Sequence, residues 1–246
     1  MSRNHFIITG TSRGIGNQLA KMLLENGNVV HGISRGDSPV LSEHENYTHH
    51  PFDLGQISSI QDLLLHIFSL MDLSNSEMIC LINNAAMLEP LKTIDKCTPE
   101  EINLNLQTSL IAPIVLTSCF MNQTSEMHLR RKIVNISSGS GTYPAPAMSV
   151  YCTAKAGINM FTACVGAEQA NQLFPVEIVA VDPGMVETEL QMIARGKADE
   201  QFEMAKYFRQ AHDTGQLLST ETLGEHLLRI IEKKIEPGKL VAYSDI

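Results

Sequence analysis

Tyr151 and Lys155 stand four residues apart in a stretch of helical pattern, so both side chains share one helix face. A free tyrosine ionises at about pH 10, too high to exchange a proton readily near neutrality. A cation beside it favours the phenolate and brings that value down. Lys155 supplies such a charge. The pair suits donation of a proton to a carbonyl oxygen, or its removal in the reverse direction. Alone, a Y-x-x-x-K spacing arises often by chance. Three further features add weight. Ser138 lies 13 residues before Tyr151 at the end of a strand-like run. Asn83-Asn84-Ala85-Ala86 follows another strand end, and Asn105 sits in a helical stretch.

A second chemical feature opens the chain. Thr9 is followed by Gly10, Thr11, Ser12, Arg13, Gly14, Ile15 and Gly16, between a strand-like run and a helical pattern. Glycines at such a turn let the backbone come close to an anion and leave N–H groups and the helix N-terminus pointing at it. That suits the pyrophosphate of a dinucleotide, although the spacing is G-x-x-x-G-x-G rather than G-x-G-x-x-G. The second strand-like run ends Ser34-Arg35. An acid there binds a ribose 2′-hydroxyl, whereas an arginine accommodates a 2′-phosphate. Arg35, with Arg13 in the turn, favours NADP(H). Asp37 lies at about the right distance for a ribose acid. It falls after Arg35 in a Gly-Asp-Ser-Pro loop and reads as a turn residue.

These residues need a frame. Strand-like runs cover 5–9, 28–34, 47–52, 78–83, 132–137, 176–181 and 239–243, and helical patterns cover 14–26, 57–71, 99–121, 149–173 and 221–234. Several of the runs are apolar almost throughout, as strands buried on both faces of a parallel sheet are. The alternation predicts an α/β, doubly wound (Rossmann), mostly parallel seven-stranded sheet with helices on both faces, as one domain over 1–246. Residues 185–218 contain no strand and are interrupted by Gly196 and Gly215. Coming after a strand end, they are expected to form a helical substrate lid.

Composition narrows the function classes. Of 246 residues, 43% are hydrophobic and 18% charged, which is globular composition, and the formal charge is -9. An acidic chain without a Lys/Arg-rich run suits neither nucleic acid nor an anionic membrane as partner. No apolar run is expected to approach the ~20 residues of a membrane span. The first residues lead straight into a strand-like run, without the apolar core of a secretory signal. Five cysteines without a C-x-x-C pair point to reduced thiols and a cytoplasmic protein. His44, His49 and His50 lack a surrounding carboxylate or cysteine set and read as surface-loop residues, so no metal is expected. Cys152 falls on a different helix face from Tyr151 and reads as packing.

Taken in order, Thr9-Gly-x-x-x-Gly-x-Gly16, Asn83-Asn-Ala85, Asn105, Ser138, Tyr151-x-x-x-Lys155 and Pro183-Gly184 resemble the short-chain dehydrogenase/reductase family, in its single-domain branch. The resemblance covers nearly the whole chain. It implies that Tyr151 is the general acid/base and that Lys155 tunes it and binds the nicotinamide ribose. It implies that Ser138 hydrogen-bonds the substrate carbonyl, and that Asn105, in preference to Asn103, holds a water linking Lys155 to solvent. Asp53, in Phe52-Asp53-Leu54, would bind the adenine amine. Asn84 and Ala85 would line the adenosine ribose, with Ala86 where the family usually has glycine. Pro183, Gly184, Val186 and Thr188 would hold the nicotinamide.

Within the family the chain looks most like sepiapterin reductases and bacterial benzil reductases. The likeness rests on Val134-Asn135-Ile136-Ser137-Ser138-Gly139, on Ala112-Pro113 and on Tyr151-Cys152-Thr153-Ala154-Lys155-Ala156-Gly157. This implies NADPH-dependent reduction of one carbonyl of a vicinal dicarbonyl, an aromatic α-diketone or a pterin side chain. The alternatives are another ketone, a 3-oxoacyl substrate, or a non-catalytic NADP-binding regulator. Tyr143, Pro144, Met148, Met185 and Met192 are the expected apolar substrate contacts. Family members pair through long helices, so 99–121 and 149–173 are expected to build a homodimer or homotetramer.

Overall fold

A computed structural model describes residues 3–245. Met1, Ser2 and Ile246, the ends of the expected domain, lie outside the described residues. Strands β1 (His5–Thr9), β2 (Val29–Ser34), β3 (Tyr47–Pro51), β4 (Met78–Asn83), β5 (Arg130–Ile136), β6 (Glu177–Asp182) and β7 (Leu240–Ala242) form one sheet. Its order is β3-β2-β1-β4-β5-β6-β7, and every pair is parallel. The order in which strands are added reverses between β1 and β4. The crevice at their C-terminal ends is where open α/β sheets bind ligands.

Nine helices connect or cover the strands among the described residues: α1 (Gly14–Glu25), α2 (Pro39–Ser42), α3 (Ile60–Ser69), α4 (Pro99–Leu106), α5 (Ala112–Gln123), α6 (Ser149–Gln169), α7 (Glu189–Gly196), α8 (Ala205–Asp213) and α9 (Thr220–Glu232). Strand side chains alternate between the two faces. On one face Phe6 and Ile8 pack with Leu19 and Leu23 of α1 and Leu227 and Ile230 of α9. On the other, Ile7, Ile79 and Leu81 meet Leu64 and Ile67 of α3 and Leu116 and Phe120 of α5. The seven strands and the helices on both faces are those expected from the apolar runs.

Three local expectations are corrected. The helical pattern over 99–121 is not one regular helix. A capping box between Thr98 and Glu101 starts α4, and a wide π turn at Gln107–Ile111 separates it from α5. Together they span 25 residues, and an 18-residue stretch within them has a mean hydropathy of 1.4, which is long and apolar enough for a membrane span by length and composition. The expected lack of any such run does not hold. Ala112, Leu116 and Phe120 show where that apolarity goes, since all three are buried against the sheet.

The histidines, third, are not surface-loop residues throughout. His49 and His50 belong to β3, and His50 is buried. His31 Nδ1 lies 3.2 Å from His50 Nε2, and His50 packs edge-on to His66 of α3. His5 stacks on the far side of His31. His5, His31 and His50 lie on one face of the sheet, each two residues out of pairing register with the next, and His66 of α3 meets His50. Burial first, then the neighbouring imidazoles, lower His31 to about 3 and His50 to about 4. Burial also lowers His5.

Candidate active site

The site is built at the end of β1. Thr9 Oγ1 accepts from Asn84 N and Ala85 N, each at 3.0 Å, and Asn84 Nδ2 donates to Thr9 O at 2.9 Å. The loop after β4 is thereby locked onto the start of the glycine turn. Gly10 and Gly14 have φ of +77° and +60°, a left-handed region that favours glycine. At Gly16 a Cβ would stand 2.4 Å from Gly10 O, so only glycine lets α1 pack this closely beneath the turn. The α1 N-terminus, which no side chain caps, and the glycines of the turn fit a dinucleotide pyrophosphate.

A cleft of about 760 Å³ runs along the C-terminal edge of the sheet. Gly10, Ser12, Arg13, Gly14 and Ile15 line its middle. Ser34, Arg35, Asp53 and Leu54 line one end, with Asn84, Ala85 and Ala86 along the floor. Thr11 and Gly16 do not reach its surface. Thr11 turns inward, its Oγ1 3.3 Å from Ser34 Oγ and 3.0 Å from Tyr47 OH. Asp53 Oδ1 accepts from Gly55 N at 2.9 Å, which fixes the carboxylate at the cleft end.

At the other end stand Ser138, Tyr151 and Lys155. The first turns of α6 carry Tyr151 and Lys155, both buried. Lys155 Nζ donates to Ile136 O at 2.7 Å and lies 5.7 Å from the centre of the Tyr151 ring. Burial lowers Lys155 to about 8. Burial also raises Tyr151 to about 12, and a hydrogen bond with Ser138 opposes that rise. The expected fall in Tyr151 is therefore not seen, because desolvation of the phenolate outweighs the opposing contact. Ser138 Oγ accepts from Ser140 N at 3.2 Å. The adjacent Ser137 instead donates to Asn159 Oδ1 at 2.5 Å.

Asn105 does not line the cleft. It is fully buried, and its Nδ2 donates to Met87 O at 2.8 Å and Glu89 O at 2.6 Å. Four residues on, Ser109 Oγ accepts from Met87 N at 2.9 Å. The two side chains thus hold both backbone groups of Met87 and fix the loop after β4. Leu104 and Thr108 line the cleft from this helix, and Asn103 is exposed.

Pro183, Gly184, Met185, Val186 and Thr188 close the site beyond β6. Gly184 has φ of +68°, and a Cβ there would meet the Tyr243 ring at 2.7 Å. The segment that follows carries α7 and α8. It is tied at its base, where Leu218 N donates to Met185 O and Glu187 N to Leu218 O, each at 2.8 Å. Val186 and Leu218 pair as a short parallel bridge, so the segment is not wholly without β pairing. Its Ala194, Phe202 and Ala205 pack with Leu88, Leu91, Met148 and Tyr151. Arg13 of the glycine turn forms an ion pair with Glu189 at the start of α7.

Of the expected substrate contacts, Tyr143, Pro144, Met148 and Met185 line the cleft. Met192 does not. It is exposed on the outer side of α7, whose Leu190, Gln191 and Ala194 face inward instead. Sequence reasoning missed Met87 and Leu88, and also Met204, Tyr207 and Phe208 around α8. The adjacent aromatics at 207–208 in an otherwise polar helix were the available signal.

Comparison with known proteins agrees with this geometry. A family model for short chain dehydrogenase matches residues 4–199. A benzil reductase ((S)-benzoin forming) of Bacillus cereus is 37% identical over 238 residues, covering 95% of this chain and 96% of its own. A sepiapterin reductase of Bos taurus is 26% identical over 261 residues, covering 100% and 96%. The crystal structure of YIR035C, a short chain dehydrogenase/reductase from Saccharomyces cerevisiae, superposes with a TM-score of 0.85 at 20% identity, covering 98% of this chain and 96% of that one. At that identity the structural likeness speaks for the fold.

Proposed function

The chain belongs to the short chain dehydrogenase family, and from that premise we propose that it reduces one carbonyl of a vicinal dicarbonyl with NADPH. One observation carries the reading. Ser138, Tyr151 and Lys155 converge at one end of a cleft whose opposite end is rimmed by Arg35, with Arg13 in the glycine turn between them.

Bound NADPH supplies the hydride. The glycine turn and the α1 N-terminus hold its pyrophosphate, and Arg13 and Arg35 hold its 2′-phosphate. Asp53 takes the adenine amine, Asn84 and Ala85 the adenosine ribose, and Pro183, Gly184, Val186 and Thr188 the nicotinamide. Ser138 donates a hydrogen bond to the substrate oxygen as negative charge develops there. Tyr151 is protonated at working pH and gives its proton to that oxygen. Lys155 stabilises the phenolate that remains and binds the nicotinamide ribose.

Tyr143, Met148, Met185, Tyr207 and Phe208 give the substrate end apolar and aromatic walls, which suit an aryl diketone or a pterin. Residues 185–218 close over it as a lid and exclude water. The protein is a cytoplasmic homodimer or homotetramer. Exposed Ile111 and Met160 on the helices expected to pair support that assembly.

The test follows absorbance of NADPH, and of NADH in parallel, with benzil, sepiapterin and a 3-oxoacyl thioester. Fast oxidation of NADPH with benzil or sepiapterin, and slow oxidation of NADH, is the expected result. Turnover of the thioester alone would replace the dicarbonyl substrate. NADPH binding without any turnover would replace the enzyme with a sensor.

A further inference from the structure

We propose that His49 sets the cofactor preference of the site, as a positioning residue that holds the Asp37 carboxylate away from the place of the 2′-phosphate. The inference rests on the NADPH reading above and deepens it. After β2 the chain runs Arg35-Gly36-Asp37-Ser38, and Arg35 and Gly36 line the adenosine end of the cleft. The loop therefore carries one cation and one anion two residues apart. A 2′-phosphate is attracted by the first and repelled by the second, whereas a ribose hydroxyl favours the carboxylate. The direction in which Asp37 faces decides between them.

Asp37 does not line the cleft, and three groups account for its direction. Ser38 N donates to Oδ1 at 2.6 Å, and Ser42 Oγ lies 2.7 Å from Oδ2. Both belong to the loop and to α2, and they move with the carboxylate. The third group does not. His49 Nδ1, on β3, is 3.7 Å from Asp37 Oδ1. The ring is anchored to the sheet, with Nε2 3.1 Å from Ser34 O and 3.2 Å from Ser34 Oγ. Its side chain is only 16% exposed. Ser34 Oγ in turn donates to Gly36 O at 2.7 Å and contacts Thr11 of the glycine turn. With Nε2 held by Ser34 O, Nδ1 faces the Asp37 carboxylate from the sheet side, and the ring restrains where that carboxylate can turn. Of the acids lining the cleft, Asp53 is held by Gly55 N and Glu189 faces Arg13.

The test is calorimetric titration of 2′,5′-ADP and 5′-AMP into the wild type, His49→Val, and His49→Val with Asp37→Asn. The wild type is expected to prefer 2′,5′-ADP. His49→Val is expected to lose about tenfold of that preference, the scale of one unscreened like charge a few ångströms away. Asp37→Asn in the same chain is expected to restore it, which a merely damaged β3 would not allow. His49→Gln replaces His49→Val if thermal unfolding shows the valine variant misfolded, with the same expected loss. A wild type with equal affinity for both ligands would overturn the NADPH reading itself. A wild-type preference that survives in the His49 variant, or a loss that Asp37→Asn leaves unrepaired, would overturn the role of His49 alone.

Discussion

The Lys155 ammonium lies 5.7 Å from the centre of the Tyr151 ring while its proton goes to Ile136 O at 2.7 Å. The lysine is thus tied to the last residue of β5 and acts on the tyrosine through its charge. The strand end and the helix face together set the spacing, and neither residue is free to drift. Ser138, two residues past Ile136, hydrogen-bonds the same tyrosine.

Tyr151→Phe removes the proton donor and keeps the ring that packs against Met148 and Ala194. Turnover with the preferred dicarbonyl should fall by about 10²–10⁴-fold, the usual contribution of a general acid. Affinity for NADPH, read by fluorescence titration, should stay within about twofold, since no phosphate contact is lost. Undiminished turnover would remove Tyr151 from the mechanism.

Lys155 couples activity to stability. Burial lowers it from an ordinary 10.5 to about 8. Between those values the unfolded chain keeps a proton that the folded chain has released, so stability rises with pH across the window. Below it the buried ammonium costs its full amount. Lys155→Met should therefore be more stable at pH 7 by roughly 1–3 kcal/mol, the lower end allowing for the abandoned Ile136 carbonyl. That advantage should shrink as pH rises through about 8 toward 10.5. The same variant should lose most activity. In the wild type, kcat/KM for reduction should decline above about pH 8 as the charge is lost. Urea denaturation at pH 7 and 10 and a pH–rate profile check both statements.

The strands and their parallel sheet were legible because runs such as Ile79-Cys80-Leu81-Ile82 and Ile178-Val179-Ala180-Val181 are buried on both faces and apolar throughout. The turn at Gly10–Gly16 was legible because left-handed φ and close packing each demand glycine there. The place of Asn105 was not. It sits in regular α4, and its buried hydrogen bonds to Met87 O and Glu89 O depend on how the loop after β4 folds back, which motif spacing does not show. Met192 was misplaced because α7 carries apolar residues on both its inner and outer faces. The paired histidines gave no periodic signal. They come together only through the parallel register of β1, β2 and β3.

Glu189 competes with the cofactor for Arg13. The two form an ion pair across the mouth of the cleft, joining the glycine turn to α7. A 2′-phosphate that recruits Arg13 must break this pair, which costs little because both side chains are largely solvated. Glu189→Gln should tighten NADPH by about two- to fivefold, the range of a surface ion pair, and leave NADH unchanged. Arg13→Ala should weaken NADPH and abolish the effect of Glu189→Gln. Titrations of the single and double variants form the cycle that checks the coupling.

The buried histidines make the fold sensitive to acid. His31 is held at about 3 and His50 at about 4, against 6.5 in an unfolded chain. As pH falls below 6.5 the unfolded chain takes up protons that the folded chain refuses. Stability is lost through that window, at up to about 1.4 kcal/mol per pH unit for each histidine. The groups facing the rings do not relieve this. His5 and His66 flank them, His49 adds to the repulsion at His50, and Asp72 reaches only His5. His31→Val removes one refused proton and one like neighbour of His50. At pH 7 the variant should match or fall slightly below the wild type, because the neutral ring still packs well. By pH 4.5 it should be the more stable protein. Carboxylates protonate equally in both chains, so the difference between their denaturation curves isolates His31. A difference independent of pH would show that the ring titrates freely in the folded protein.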